Sequence, residues 1–199
     1  MKTEAHQVLG IFLLRQLPNG VKRQHKKAFL LGCIQPDKNP TTYIKGSVHH
    51  KVLGGHNWCN AKKYIQKLCR QLESQECWTI FDYYKLGKLV HYIADGFTLV
   101  HNCIGNSGIK HHRKYEQAQH KYFLLNMLHF TGDLQTPHGD LYSYIALKHR
   151  QYLADTRGPS TDQSYIMSVC SVTVKKLISG KREILREFSP IRAINTCKI

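Results

Sequence analysis

The sequence predicts an all-α fold, a single-domain helical bundle that spans residues 1–199. Apolar residues recur at three- and four-residue spacing along almost the whole chain, which is typical of amphipathic helices. No stretch combines two-residue alternation with a hairpin turn, so a β-sheet fold is not indicated. The length of 199 residues, with 42% hydrophobic and 21% charged residues, suits one domain with a single core and excludes a disordered chain.

The periodicity and its breaks place the helices in order along the chain. A first helix, with apolar positions at 8, 11 and 12, ends at the turn-forming sequence Pro18-Asn19-Gly20. An irregular region with short helical pieces is expected from Gln35 to His56, because its Pro and Gly content is typical of loops. Further helices are predicted at 61–72, 79–95, 114–130, 141–154 and 162–178, with breaks at 136–139 and 157–160.

The charge of the chain indicates the class of its partners. It has 29 Lys+Arg against 13 Asp+Glu, a formal charge of +16, and the excess is spread along its length. Such a surface attracts polyanions: nucleic acid, anionic lipid headgroups or phosphorylated substrates. The longest apolar runs, 8–14 and 28–34, have seven residues each, whereas a membrane span needs ~20. A transmembrane protein is therefore excluded.

The cysteines and the first residues bear on the cellular compartment. The seven cysteines are odd in number and include no Cys-x-x-Cys pair, so neither a disulfide framework nor a cysteine zinc site is supported. The first six residues include an acid and a histidine, and Arg15 interrupts the apolar run, which is typical of an amphipathic helix rather than a signal peptide. We expect a cytoplasmic protein that is peripheral to a membrane surface.

Two pairs of side chains are spaced for metal binding. His91 and Asp95 are four residues apart on a predicted helix, and so are His112 and Glu116, which puts each pair on one helical face. The alternative is that each is an ordinary surface ion pair. The largely apolar sequence around His91 and Asp95 favours metal, because buried acids and imidazoles need partners. His101 follows Asp95 by six residues, ~9 Å further along a straight helix, and suits a second metal.

With these residues in view, the sequence resembles the bacterial zinc-dependent phospholipase C family. His91-x3-Asp95-x5-His101, followed by His112-x3-Glu116, is similar to the ligand string of that family. The segment 29–37, Phe-Leu-Leu-Gly-Cys-Ile-Gln-Pro-Asp, resembles the family's Leu-Gly-x-Ile-x-Pro-Asp segment, and His6 matches its N-terminal ligand histidine. The resemblance covers residues 6–116, and residues 117–199 are interpreted as scaffold helices.

The resemblance implies a multinuclear site between helices, with two or three zinc ions. Asp37, His91, Asp95 and one more histidine would bind one ion. We prefer His56 for that histidine, because Gly54-Gly55 before it makes a tight loop; His50 is the alternative. A second ion would be bound by His101, His112 and Glu116, and a third by His6 with Asp95 as a bridge. Secreted relatives supply an N-terminal Trp to this third ion, whereas residue 1 here is Met, so His6 is expected to lack that partner.

The function implied is hydrolysis of phosphodiester bonds in phospholipids, of phospholipase C type. Zinc-bound water would attack phosphorus, and Asp37 would position or deprotonate that water as the catalytic residue. A related zinc nuclease or nucleotide phosphodiesterase is the alternative, although no strip of aromatic residues that could stack bases is evident. A third hypothesis is a non-catalytic, metal-stabilised module that binds an anionic membrane. No protein partner is implied.

Overall fold

The computed structural model describes residues 1–39, 41, 56–102, 109–130, 137–155, 157–179 and 181–183. Seven α-helices make up most of this part of the chain, which confirms the all-α fold. The helices are α1 (Thr3–Leu14), α2 (Arg23–Lys38), α3 (Trp58–Ser74), α4 (Ile80–Gly96), α5 (Ile109–Asn126), α6 (Leu141–Ala154) and α7 (Pro159–Ile178). A short 3₁₀ turn, Leu99–His101, follows α4, and another, Met127–His129, follows α5.

Local signals in the sequence explain several helix ends. The side chain of Asp140 accepts a hydrogen bond from Ser143 N at the start of α6, and Thr79 and Asp82 form a reciprocal capping box at the start of α4. Pro159 is the first residue of α7, where its missing N–H costs nothing. Helix α6 has the bounds that the periodicity predicts, and α3, α5 and α7 begin three to five residues earlier.

The expectation that irregular chain begins at Gln35 is wrong, because α2 continues to Lys38. Pro36 is buried inside the last turns of this helix, and the helix still closes through a hydrogen bond from Asn39 N to Gln35 O at 3.0 Å. A proline in a helix loses one backbone hydrogen bond, and here packing of the helix compensates for that loss. Asp37 therefore lies on a helix and not on a loop.

Helices α2 and α4 cross in close backbone contact at two glycines. A Cβ on Gly32 would lie 2.2 Å from Tyr84 O, and a Cβ on Gly87 would lie 2.1 Å from Phe29 O. No residue other than glycine fits at either position without separating the helices. This crossing places Asp37, near the end of α2, beside the last turns of α4.

All seven helices contribute to the hydrophobic core. Its largest fully buried side chains include Trp78, Phe29, Phe97 and Phe123. Two short parallel strands, β1 (Cys77–Trp78) and β2 (Arg182–Glu183), pair beside the helices. Among the described residues, none of the helices has the length and apolar character that crossing a bilayer requires.

Candidate metal centre

The buried carboxylate of Asp95 lies at the middle of the site. Asp95 and His91 are one turn apart on α4, and neither side chain is exposed to solvent. Asp95 Oδ2 lies 2.8 Å from His56 Nδ1 and 3.2 Å from His91 Nε2. On its other side, Asp95 Oδ1 lies 3.2 Å from both His6 Nε2 and His101 Nδ1. One carboxylate thus joins side chains from α1, α4, the turn before α3 and the turn after α4.

Four ligand-type atoms surround one point on the Oδ2 side of Asp95. Asp37 Oδ1 lies 3.6 Å from both His56 Nδ1 and His91 Nε2, and these two nitrogens are 3.2 Å apart. The ligand atoms of a tetrahedral zinc, each at ~2.0–2.1 Å from the metal, lie ~3.3 Å from one another. Five of the six distances among these four atoms lie between 2.8 and 3.6 Å, a range that includes the spacing around a tetrahedral zinc.

Neighbouring groups hold these side chains in orientation. His91 Nδ1 donates a hydrogen bond to Cys33 O at 2.9 Å, which leaves Nε2 directed at the centre. Thr3 Oγ1 donates to Asp37 Oδ2 at 2.8 Å, so that Asp37 Oδ1 faces the histidines. The ring of His6 stacks on that of His91 with centroids 3.9 Å apart. The hydrogen bond between His91 and Cys33 is possible because the backbones of α2 and α4 approach closely at their crossing.

A second group of side chains lies on the Oδ1 side of Asp95. Helix α4 ends at Gly96, and the chain turns so that His101 returns towards Asp95 instead of continuing along the helix axis. His101 Nε2 and His112 Nε2 lie 3.3 and 3.5 Å from Glu116 Oε1. The ligand atoms of these three residues all lie within 4.8 Å of one another, as do those of His6, Asp37, His91 and Asp95.

The amino nitrogen of Met1 also lies in the centre. It is 2.8 Å from Asp95 Oδ1, 3.0 Å from Glu116 Oε1 and 3.3 Å from His101 Nε2. Met1, just before α1, brings its nitrogen to the same carboxylate oxygen that His6 contacts, in the part of the site where relatives have an N-terminal Trp. A cationic group thus lies among these ligand atoms.

Burial and charge set the protonation states of the site. Burial lowers the pKa of His6 to about 4, with a further contribution from His91, so that its imidazole is neutral at pH 7 and able to bind a metal. Burial alone would raise the pKa of Asp95, but the Met1 ammonium and the surrounding histidines hold it well below its usual value. Burial alone would also raise the pKa of Glu116. The hydrogen bonds from His101 and His112 outweigh burial and lower that pKa.

Asp162 is a site-supporting residue that the sequence interpretation missed. It is fully buried on α7, and its Oδ2 accepts hydrogen bonds from Leu99 N, Tyr115 OH and Gln119 Nε2 at 3.2, 2.9 and 2.8 Å. Its Oδ1 accepts from Tyr152 OH at 2.7 Å. These bonds tie the turn that carries His101 to the helix that carries Glu116. The sequence shows only an acid in a first helical turn, which is ordinarily explained by the helix dipole.

The turn after α4 is fixed by a second set of buried contacts. Asn102 Nδ2 donates to Gly96 O and Thr98 O at 3.0 and 2.9 Å, and its Oδ1 accepts from His149 Nε2 at 2.9 Å. The ring of His149 stacks on Trp58, the first residue of α3, at 3.7 Å between centroids. His101 is therefore attached to a turn that α3 and α6 both hold in place.

All eight side chains that the sequence singles out as site residues come together in the structure: His6, Asp37, His56, His91, Asp95, His101, His112 and Glu116. The alternative ligand His50 lies outside the described residues. The donor set of imidazole nitrogens and carboxylate oxygens is one that zinc prefers. Among the described residues, the buried Nδ1 of His6 has no hydrogen-bond partner. The residues present therefore fit zinc.

Comparison with known proteins agrees with this geometry. The family model for zinc-dependent phospholipase C matches residues 5–158, a span that includes all eight site residues and continues past Glu116 through α6. No curated protein and no solved structure matches the chain. The matched span covers more than half of the chain, and the chain belongs to the zinc-dependent phospholipase C family.

Proposed function

We propose that the protein hydrolyses the phosphodiester bond of phospholipids and releases diacylglycerol and a phosphorylated headgroup. The observation that carries this proposal is the convergence of eight ligand-type side chains, Asp95 among them, in one centre of a chain that belongs to the zinc-dependent phospholipase C family. The basic surface, with a formal charge of +16, supports an anionic substrate.

The proposed ligands divide between two sides of Asp95. Asp37, His56, His91 and Asp95 would hold one zinc ion, because their ligand atoms lie close together. His101, His112 and Glu116 would hold a second, and His6 with Asp95 would hold a third. Because Asp95 contacts residues of both groups, the whole centre would depend on it.

Bound zinc lowers the pKa of a coordinated water to ~7 and neutralises phosphate oxygens. The task of the chain is to orient the groups around that water. Asp37 is suited to position that water or to accept its proton, because Thr3 fixes one carboxylate oxygen of Asp37 and leaves the other directed into the centre. With a side chain that is 10% exposed, Asp37 is also more accessible than the fully buried Asp95.

The proposal is tested by the substitution Asp37→Asn in zinc-loaded protein. Release of headgroup phosphate from a short-chain phosphatidylcholine should fall by ~100- to 10,000-fold, because asparagine keeps the size of the side chain but cannot accept a proton. Zinc content, measured on the same samples, should remain mostly unchanged, because His56, His91 and Asp95 still provide three of the four proposed ligands of that ion. Glu76→Gln, which changes an exposed acid outside the centre, is the matched control and should retain full turnover.

Two results would contradict the proposal. Near-full turnover by Asp37→Asn would remove the assigned role of Asp37. Wild-type protein that carries its zinc and cleaves oligonucleotides, but not phospholipid, would establish the nuclease alternative in place of a phospholipase.

A further inference from the structure

The outward face of α5 and of the turn after it combines positive charge with exposed leucines. We call it the α5 outer face and define it by Lys110, Arg113, Lys114 and Lys121, and by Leu124, Leu125 and Leu128. All seven side chains are exposed. Their spacing of three, four and seven residues places them on one side of the helix. The four cations occupy the first part of this face and the three leucines the last part.

The leucines are at positions where a soluble helix normally has polar residues. Leu125 and Leu128 are 66% and 69% exposed, whereas the core contact of the same helix is made by Phe123, which is fully buried. Single exposed leucines are common in soluble proteins, but three adjacent ones form an apolar patch with no partner among the described residues. The patch continues directly into the cationic part of the face.

None of the described residues of this face is acidic. The one acid of α5, Glu116, is turned inward, where it contacts Met1, His101 and His112. Cations next to exposed leucines suit an anionic bilayer, because its headgroups attract the cations and its acyl region accommodates the leucines. A protein partner with an acidic rim would satisfy the charges, but the phospholipid substrate of the proposed function resides in a bilayer.

The position of the face relative to the metal centre supports the same occupant. His112 is the most accessible of the eight site residues, with a side chain that is 37% exposed, so the centre opens beside the first turns of α5. Arg113 is the next residue along the chain and belongs to the cationic part of the face. A bilayer held there would lie next to the opening.

We propose that the α5 outer face is a docking surface for anionic lipid bilayers. It extends the proposed function, since docking would bring the centre to its substrate. Binding is nevertheless measured without turnover, so the failure of one does not imply the failure of the other.

The experiment is co-sedimentation of the full chain with vesicles of phosphatidylcholine, with and without phosphatidylserine. Wild-type protein should bind the anionic vesicles. Lys114→Gln with Lys121→Gln should weaken this binding by about 25-fold, since each cation near an anionic surface contributes about fivefold. Leu125→Ser with Leu128→Ser should weaken it at least tenfold, because the apolar insertion is lost.

Matched controls separate this surface from the general basicity of the protein. Lys63→Gln with Lys67→Gln removes two exposed cations from α3, and Leu31→Ser changes a leucine on α2 that is 52% exposed. Neither control should weaken binding more than about twofold. Circular dichroism and melting temperature verify that each variant is folded.

Equal losses of vesicle binding in the controls and the α5 variants would overturn the proposal. Wild-type protein that does not bind anionic vesicles would overturn it as well. Size-exclusion chromatography tests the competing occupant. A wild-type dimer that Leu125→Ser with Leu128→Ser converts to a monomer would assign the face to a second copy of this chain and refute bilayer docking.

Discussion

The crossing of α2 and α4 provides a direct test of how the fold positions the site. In Gly87→Ala, the new Cβ would lie 2.1 Å from Phe29 O and 2.8 Å from Cys33 N. Both neighbours are backbone atoms of α2 and cannot rotate away. Restoring ordinary contact at 3.4 Å requires the two helices to separate by about 1.3 Å.

That separation has a cost in stability and a cost in metal affinity. Overpacking a close contact costs about 1–3 kcal/mol, and stretching the hydrogen bond from His91 Nδ1 to Cys33 O adds about 1 kcal/mol. Alanine regains about 1 kcal/mol through its helix propensity. We expect a net loss of about 2 kcal/mol, and a melting temperature lower by about 4–8 °C. Zinc affinity should fall by about 10- to 100-fold, because His91 loses its orienting partner.

The assays are thermal unfolding of metal-free protein and competitive zinc titration. Gly10→Ala is the matched control, since its Cβ would meet side-chain atoms of Leu30 and Cys33 at 3.0 and 3.2 Å, which can shift by a few tenths of an ångström. Its stability should stay within about 0.5 kcal/mol of wild type. The reasoning is refuted if Gly87→Ala matches wild type in both assays, or if Gly10→Ala loses as much.

Three further predictions follow from the contacts around the centre. Asp95→Asn should lose more zinc, by elemental analysis, than His6→Ala, because Asp95 contacts both ligand groups; the reverse order would contradict its bridging role. Asp162→Ala should destabilise the fold by about 3–5 kcal/mol in urea unfolding, because four donors, two in buried and two in partly buried hydrogen bonds, lose their acceptor, whereas Asp162→Asn should retain most stability; equal losses would contradict this. Burial lowers the pKa of His149 to about 4, so stability should fall as pH drops from about 6.5 towards 4, by at most about 1.4 kcal/mol per pH unit; His149→Gln should reduce that slope, and an unchanged slope would refute it.

The features that the sequence predicts well are those that depend on local spacing. A four-residue separation on a helix brings two side chains to one face regardless of the rest of the fold, which is why His91 and Asp95 meet in the structure as expected. Helix α6 follows the predicted bounds because its N-cap, Asp140, acts within one turn. The resemblance to a family predicts His6 and Asp37 as ligands. Both are too far from α4 in sequence for residue spacing to place them in the site.

The features that the sequence analysis missed depend on contacts between distant segments. Pro36 suggests a loop, but helix α2 continues past it because its packing in the fold outweighs the local preference. The role of Asp162 depends on donors from α5, α6 and the turn after α4, and no spacing within α7 reveals them. The same holds for Met1, whose nitrogen meets a carboxylate 94 residues away.

The surface cations and the proposed metals have different roles in attracting an anionic substrate. Asp37, Asp95 and Glu116 converge on the centre, and buried His6 is neutral. The Met1 ammonium and His101, whose pKa the carboxylates raise although burial opposes this, offset only part of that negative charge. The cations of the surface cannot reverse this at short range, because salt screens their field within ~10 Å. The excess of +16 therefore governs how often an anionic substrate arrives. Each zinc ion adds two positive charges among the three carboxylates, so in the proposed centre it is metal loading that determines whether the phosphate stays.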